Sequence, residues 1–163
     1  IGERTGNVPV EAMIFEYASL RGTMNGMHPK YITEIARYIE NDTNYPIPPM
    51  TPFAGQNFNL TRAGIHADGL MKNPEIYNIF DTESILNRPP KVSITGTSGT
   101  AGIVFWLNHS YSRRGEKEYT KKDPLVAKLY EWVTDQFDNG RITMISDAEM
   151  EEQIATLCEA QDL

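Results

Sequence analysis

"LTRAGIHADGLMKNPEIYNIF", Leu60 to Phe80, reads first as a helix and then as a break in it. Its apolar residues recur as one helical face, and a lone histidine, His66, sits on that run between two glycines. Gly69 and Asn73-Pro74 argue against one unbroken helix. Asn73, Pro74 and Glu75 instead supply the cap, first residue and first-turn acid of a short second helix running through Phe80.

The same grammar repeats outward in both directions. Upstream, Asn7 and Pro9 read as the cap and first turn of a helix whose apolar face is Val10, Met13, Ile14, Tyr17 and Leu20, stopped by Gly22. Ile32, Ile35, Ala36 and Ile39 give a second amphipathic helix after His28-Pro29. "NYPIPPMTPF" follows, and its four prolines forbid helix and suggest an extended linker. Downstream, "KVSIT" is the one convincing strand, with Val92 and Ile94 on one face. The loop "GTSGTAG" leads from it into the apolar "IVFWLNHSY". Asp123-Pro124 opens the clearest helix, with Val126, Leu129, Tyr130, Val133 and Phe137 facing the core and Asn139-Gly140 ending it. Ser146 and Glu149 form a capping box ahead of Met150, Ile154 and Leu157. The fold class is therefore mainly α, or α+β with very little strand.

Composition bounds the function. At 163 residues with 40% apolar content, the chain can bury a core without disulfides or a structural metal. A net charge of −7 argues against a nucleic-acid surface, which needs clustered cations. The basic stretch "SRRGEKEYTKK" and the acidic tail read as solvated surface. A single cysteine, Cys158, makes no internal disulfide, so a reducing cytoplasm is expected. No apolar run approaches a bilayer span. The glycosylation-type triplets at Asn41, Asn59 and Asn108 are then chance matches. The chain opens at Ile1 and reads as the C-terminal part of a longer protein.

Chemistry has few candidates. His28, His66 and His109 with one cysteine make no metal-ligand spacing, and no Gly-x-Ser-x-Gly elbow occurs. "ITGTSGTAGI" lies where phosphate loops lie, yet its glycines match neither the dinucleotide nor the P-loop pattern, so a tight turn is the simpler reading. His66 stays open: such a histidine can donate to a backbone carbonyl or move a proton. Tyr77 stands eleven residues on, about three helical turns, and Arg62 adds a cation that could hold a carboxylate. In "GERTGN", Glu3 and Asn7 flank turns and could face a ligand, though a loop with Asn7 as helix cap explains them equally.

Taken together, "GERTGN" before an amphipathic helix, the run "PF.G...F....AGIH.DG...N.E.Y" and the later "SG" loop resemble the 2-isopropylmalate synthase / homocitrate synthase family over nearly the whole chain. The resemblance implies residues 1–27 as the end of a catalytic TIM barrel with its last helix, 28–90 as a linker and first helical subdomain carrying the histidine, and 91–163 as a second helical subdomain. It implies a Claisen condensation of acetyl-CoA with a 2-oxo acid, then thioester hydrolysis, as in leucine biosynthesis. His66 would take part in acid–base catalysis with Tyr77 assisting, and Glu3 and Asn7 would lie at the substrate end of the barrel. A divalent ion, Mg, Mn or Zn, would act as Lewis acid on ligands upstream of Ile1, leaving this piece alone inactive. A homodimer with sites built from two chains is also implied.

Two departures from the pattern bear on substrate and control. Leucine-regulated members carry a further C-terminal regulatory domain, and this sequence ends soon after its last helix, so leucine feedback is expected only if more chain follows. Arg62, just before "GIH", would suit a 2-oxo acid with a second carboxylate, oxaloacetate or 2-oxoglutarate, as in the homocitrate and Re-face citrate synthase branches. The competing expectation is a helical interaction module with a structural His66.

Overall fold

The computed structural model describes residues 4–112 and 117–159. In chain order these form α1 (Val10–Arg21), α2 (Lys30–Thr43), β1 (Leu60–Thr61), α3 (Gly64–Lys72), α4 (Thr82–Leu86), β2 (Lys91–Val92), α5 (Gly99–Trp106), α6 (Pro124–Asp138) and α7 (Asp147–Glu159). Helix dominates the described residues, and the two strands are two residues each. No described helix is long and apolar enough to cross a membrane. The chain divides into two units, Ile1–Asn59 with Phe80–Pro90, and Leu60–Ile79 with Lys91–Leu163.

In the first unit, α1 ends as expected, with Gly22 in the left-handed region at φ 66°. Its start differs. Pro9, extended at φ −70°, is the N-cap, and no side chain caps the helix. Asn7 stands two residues too early, since a capping oxygen must reach the N–H groups of the second or third helical residue. The expected core face is also not buried: Val10, Met13 and Leu20 are exposed, and no residue of α1 is buried. What holds α1 is Phe15, stacked on Phe53 at 4.1 Å and on Phe80 at 5.0 Å. Along α2, Ile32 and Ala36 are buried, while Ile35 is exposed because Thr33 takes the inward place and donates to the Leu86 carbonyl at 2.9 Å. Asp81 caps α4, accepting from the N–H groups of Glu83 and Ser84.

The proline-rich stretch forms no helix, but from Pro49 it runs as successive turns rather than as an extended linker. A buried arginine organises these turns. Arg88 Nη2 donates to the carbonyls of Gly55 at 2.9 Å and Gln56 at 3.0 Å, and its guanidinium lies 5.1 Å from the centre of the Phe58 ring.

The second unit is built around α5, which is apolar on all sides and buried from Ala101 to Trp106. It packs with Val126, Leu129 and Val133 of α6 and with Met150 and Ile154 of α7. Tyr130, expected on that face, is exposed. Gly140 ends α6 at φ 91°, and Ile94 bridges antiparallel to Ile145. The capping box forms: Glu149 accepts from the Ser146 N–H at 2.8 Å and hydroxyl at 2.7 Å. One strand was not signalled by the sequence. β1 pairs in parallel with β2, Leu60 opposite Lys91 and Thr61 opposite Val92.

Candidate active site

The pairing of β1 with β2 fixes where α3 begins. Three bonds tie the loop after β2 to that start: the hydroxyls of Ser98 (3.2 Å) and Thr95 (3.3 Å) donate to the Arg62 carbonyl, and the Gly64 N–H donates to the Thr97 carbonyl at 3.0 Å. Ser98 is fully buried and accepts the Thr95 N–H at 2.8 Å. The contact admits only glycine at 64, because a Cβ there would overlap the Ser98 carbonyl. The glycine-rich loop is thus a socket for the N-terminus of α3, and the tight-turn reading of it holds.

Helical spacing then decides which side of α3 meets the core. Ala67 and Leu70 point inward, against Val92 and Phe105. His66, one residue before Ala67 and one turn before Leu70, lies at the margin of that face and is exposed. Its ring centre lies 4.7 Å from that of Tyr77, with the planes at 57°. The expected short helix after Asn73 is a 3-10 turn of Pro74–Ile76 that stops well before Phe80. Its cap is as expected, the Asn73 side chain accepting from the Glu75 N–H at 3.0 Å. This tight turn reverses the chain and lays Tyr77 back over α3. The helical route considered for bringing His66 and Tyr77 together is therefore replaced by a turn.

The structural alternative for His66 describes His109 instead. His109 Nδ1 lies 3.0 Å from the Phe105 carbonyl, to which it donates, and its ring stacks on Phe105 at 3.9 Å. Among the described residues, no carbonyl takes the His66 ring N–H. An exposed imidazole against a tyrosine can exchange protons with a bound molecule.

Asp68, two residues on, is held between Lys72 at 2.6 Å and Lys121 at 2.5 Å. Hydrogen bonds from Lys121 and Lys72 pull its carboxyl down to about 2. The Lys72 half of that clamp is an i,i+4 pair along α3, whereas the Lys121 half was not signalled, because Lys121 is distant in the chain. Arg62, between β1 and α3, is exposed, and among the described residues its guanidinium makes no ion pair. Asn7 is exposed in the first unit, and Glu3 lies outside the described residues. No group of three or more His, Cys, Asp or Glu side chains that could hold a metal ion occurs among the described residues.

Comparison with known proteins agrees on a family. No protein-family profile matches the chain. It is 49% identical over 151 residues to the citrate (Re)-synthase of Clostridium kluyveri, covering 93% of this chain and 33% of that protein. It is 47% identical over 154 residues to the citrate (Re)-synthase of Syntrophus aciditrophicus, covering 94% of this chain and 24% of the other. A 2-isopropylmalate synthase of Buchnera aphidicola is 32% identical over 133 residues, covering 80% of this chain and 25% of that enzyme. The chain is homologous to the citrate (Re)-synthases and 2-isopropylmalate synthases. These are acyl-CoA condensing synthases, and the chain spans between a quarter and a third of the length of the citrate (Re)-synthases it matches.

Proposed function

We propose that the full-length protein condenses acetyl-CoA with a dicarboxylic 2-oxo acid, oxaloacetate foremost, and then hydrolyses the thioester. The observation that carries this is the difference in identity: 47–49% to citrate (Re)-synthases against 32% to a 2-isopropylmalate synthase. It favours the dicarboxylate branch over the 2-isopropylmalate reaction that the sequence motifs imply.

His66 and Tyr77 supply the proton chemistry in this reading. An imidazole has one ring nitrogen that accepts a proton and one that donates, so it can take a proton from the methyl of acetyl-CoA and return one later. The carbanion adds to the ketone carbon, its oxygen is protonated, and water then cleaves the thioester to release the CoA thiol. Tyr77, in contact with His66, orients the imidazole or relays its proton. Arg62 is free to pair with the second carboxylate of the substrate. Glu3 and Asn7 are assigned to the substrate end of the barrel on the family resemblance alone.

A divalent ion, held by residues outside those described, would supply Lewis-acid polarisation of the 2-oxo carbonyl. The described residues offer no ligand set for it, and the roles of His66, Tyr77 and Arg62 do not include holding it. The exposed Ile65, Ile76 and Ile79, the last at 95%, adjoin the pair in sequence and support a site closed by another protein surface. That surface is the partner subunit of a cytoplasmic homodimer in this proposal.

Thiol release from acetyl-CoA, followed in the full-length protein with a divalent metal, tests the reading. Oxaloacetate, 2-oxoglutarate, 2-oxoisovalerate and pyruvate are compared in parallel. Oxaloacetate should win, and Arg62→Ala should raise its KM about tenfold. His66→Ala should cut kcat by about 100-fold or more with folding intact. A preference for 2-oxoisovalerate returns the protein to the 2-isopropylmalate reaction. Full turnover without His66 leaves this segment a non-catalytic module.

A further inference from the structure

Gly69 lies inside α3 on ordinary helical backbone and is not among the residues with positive φ. Glycine is the poorest helix former after proline, because it has the most backbone freedom to lose. Backbone conformation therefore gives no reason for glycine at this position. Space does. A Cβ at Gly69 would stand 2.5 Å from Tyr77 Cε2 and 3.4 Å from Cδ2 and Cζ of the same ring. Carbon atoms pack at about 3.5–4.0 Å, so the ring as placed excludes any side chain at 69.

The turn after α3 delivers the ring to that spot. The Asn73 N–H bonds to the Gly69 carbonyl at 2.9 Å, and the Tyr77 N–H reaches the Pro74 carbonyl at 3.3 Å. Gly69 is three residues beyond His66, so the two are neighbours on one face of the helix. A ring resting in the notch at 69 is by that fact against His66, and the centres are 4.7 Å apart.

We infer that Gly69 is a positioning residue: its missing Cβ leaves a notch that seats the Tyr77 ring against His66. This rests on the role proposed above for His66 and Tyr77. Tyr77 is 46% exposed, so an alanine at 69 pushes the ring toward solvent and leaves the fold intact.

The experiment uses the full-length protein and four variants: Gly69→Ala, Tyr77→Ala, the two combined, and His66→Ala. It reads kcat and KM, Tm, and the His66 resonance in protein labelled with 13C at histidine Cε1. Gly69→Ala should lower kcat on the order of 10- to 100-fold, the scale of a misplaced catalytic group. KM should change less than about twofold, because ground-state binding is untouched. Tm should hold or rise. The His66 resonance should move as the neighbouring ring leaves. With Tyr77 already alanine, the second alanine should change neither kcat nor the resonance. Wild-type kcat with an unmoved resonance in Gly69→Ala overturns the inference. So does an equal loss with Tyr77 absent, or a lowered Tm, which would place the clash in the fold. If His66→Ala keeps full turnover, the functional reading falls instead, and the resonance alone decides whether Gly69 seats the ring.

Discussion

Arg88 is a buried charged residue that ties several turns of the first unit together. It is 8% exposed, and among the described residues no carboxylate pairs with it. Two backbone carbonyls and the face of Phe58 take the place of a counter-ion. Burial pulls the guanidinium below its ordinary value, with the nearby Arg37 charge adding to the effect. The Asn59 amide donates to the carbonyls of Arg88 and Pro89, so the same knot closes from its other side. Arg88→Met keeps the apolar stem but strands both carbonyls. A loss of about 2–3 kcal/mol in urea unfolding is expected, the scale of buried bonds to a charged group. A change below about 0.5 kcal/mol would mean that the turns hold without it. Arg88 was invisible in the sequence because its partners lie more than thirty residues away. His66 was visible as a residue type between glycines, but its exposure was not, since that depends on which face Ala67 and Leu70 bury.

At the scale of elements, α7 was the best-read feature because everything that starts it is local. Ser146 and Glu149 are three residues apart and meet as the capping box requires. Ser146→Ala should cost about 1 kcal/mol, measured as a shift in the unfolding midpoint. Arg141 adds what sequence reading missed, a two-pronged pair with Glu149 at 2.8 and 2.9 Å. Hydrogen bonds from Arg141 and then from Ser146 hold the Glu149 carboxyl down at about 2, against 4.5 ordinarily. A depressed carboxyl stabilises the fold above the unfolded value and loses that contribution as pH falls through the folded one. Stability attributable to Glu149 is therefore complete above about pH 4.5 and gone near pH 2. Unfolding midpoints of wild type and Glu149→Gln should converge over that range, and a gap that stays constant would refute the assignment. β1 shows the opposite case. Two residues are too few to print a period, and only the pairing with β2 makes them a strand.

Across the whole molecule, the burial is unequal between the two units. The second holds a continuous core through Ile94, Ile103, Trp106, Leu129, Met150 and Ile154. The first buries Ile32, Ala36 and Leu86, and α1 buries nothing. Periodicity in the sequence announced an apolar face on α1 as well as on α6. It could not say whether this stretch of chain carries the surface that covers each face. For α6 it does, in α5 and α7; for α1, among the described residues, Phe15 alone is held by a stack. Local opening is easiest where few apolar contacts must be broken. In the 163-residue chain, amide exchange should therefore be fastest in Val10–Arg21 and slowest in Gly99–Trp106 and Pro124–Asp138. Mass-spectrometric exchange over seconds to hours reads this order directly. In a chain extended to the length of the citrate (Re)-synthases, of which this one spans 24% and 33%, the α1 amides should slow to the pace of α6. If α1 exchanges equally fast in both, its apolar face is a true surface, and the barrel position inferred for it from the family resemblance is wrong.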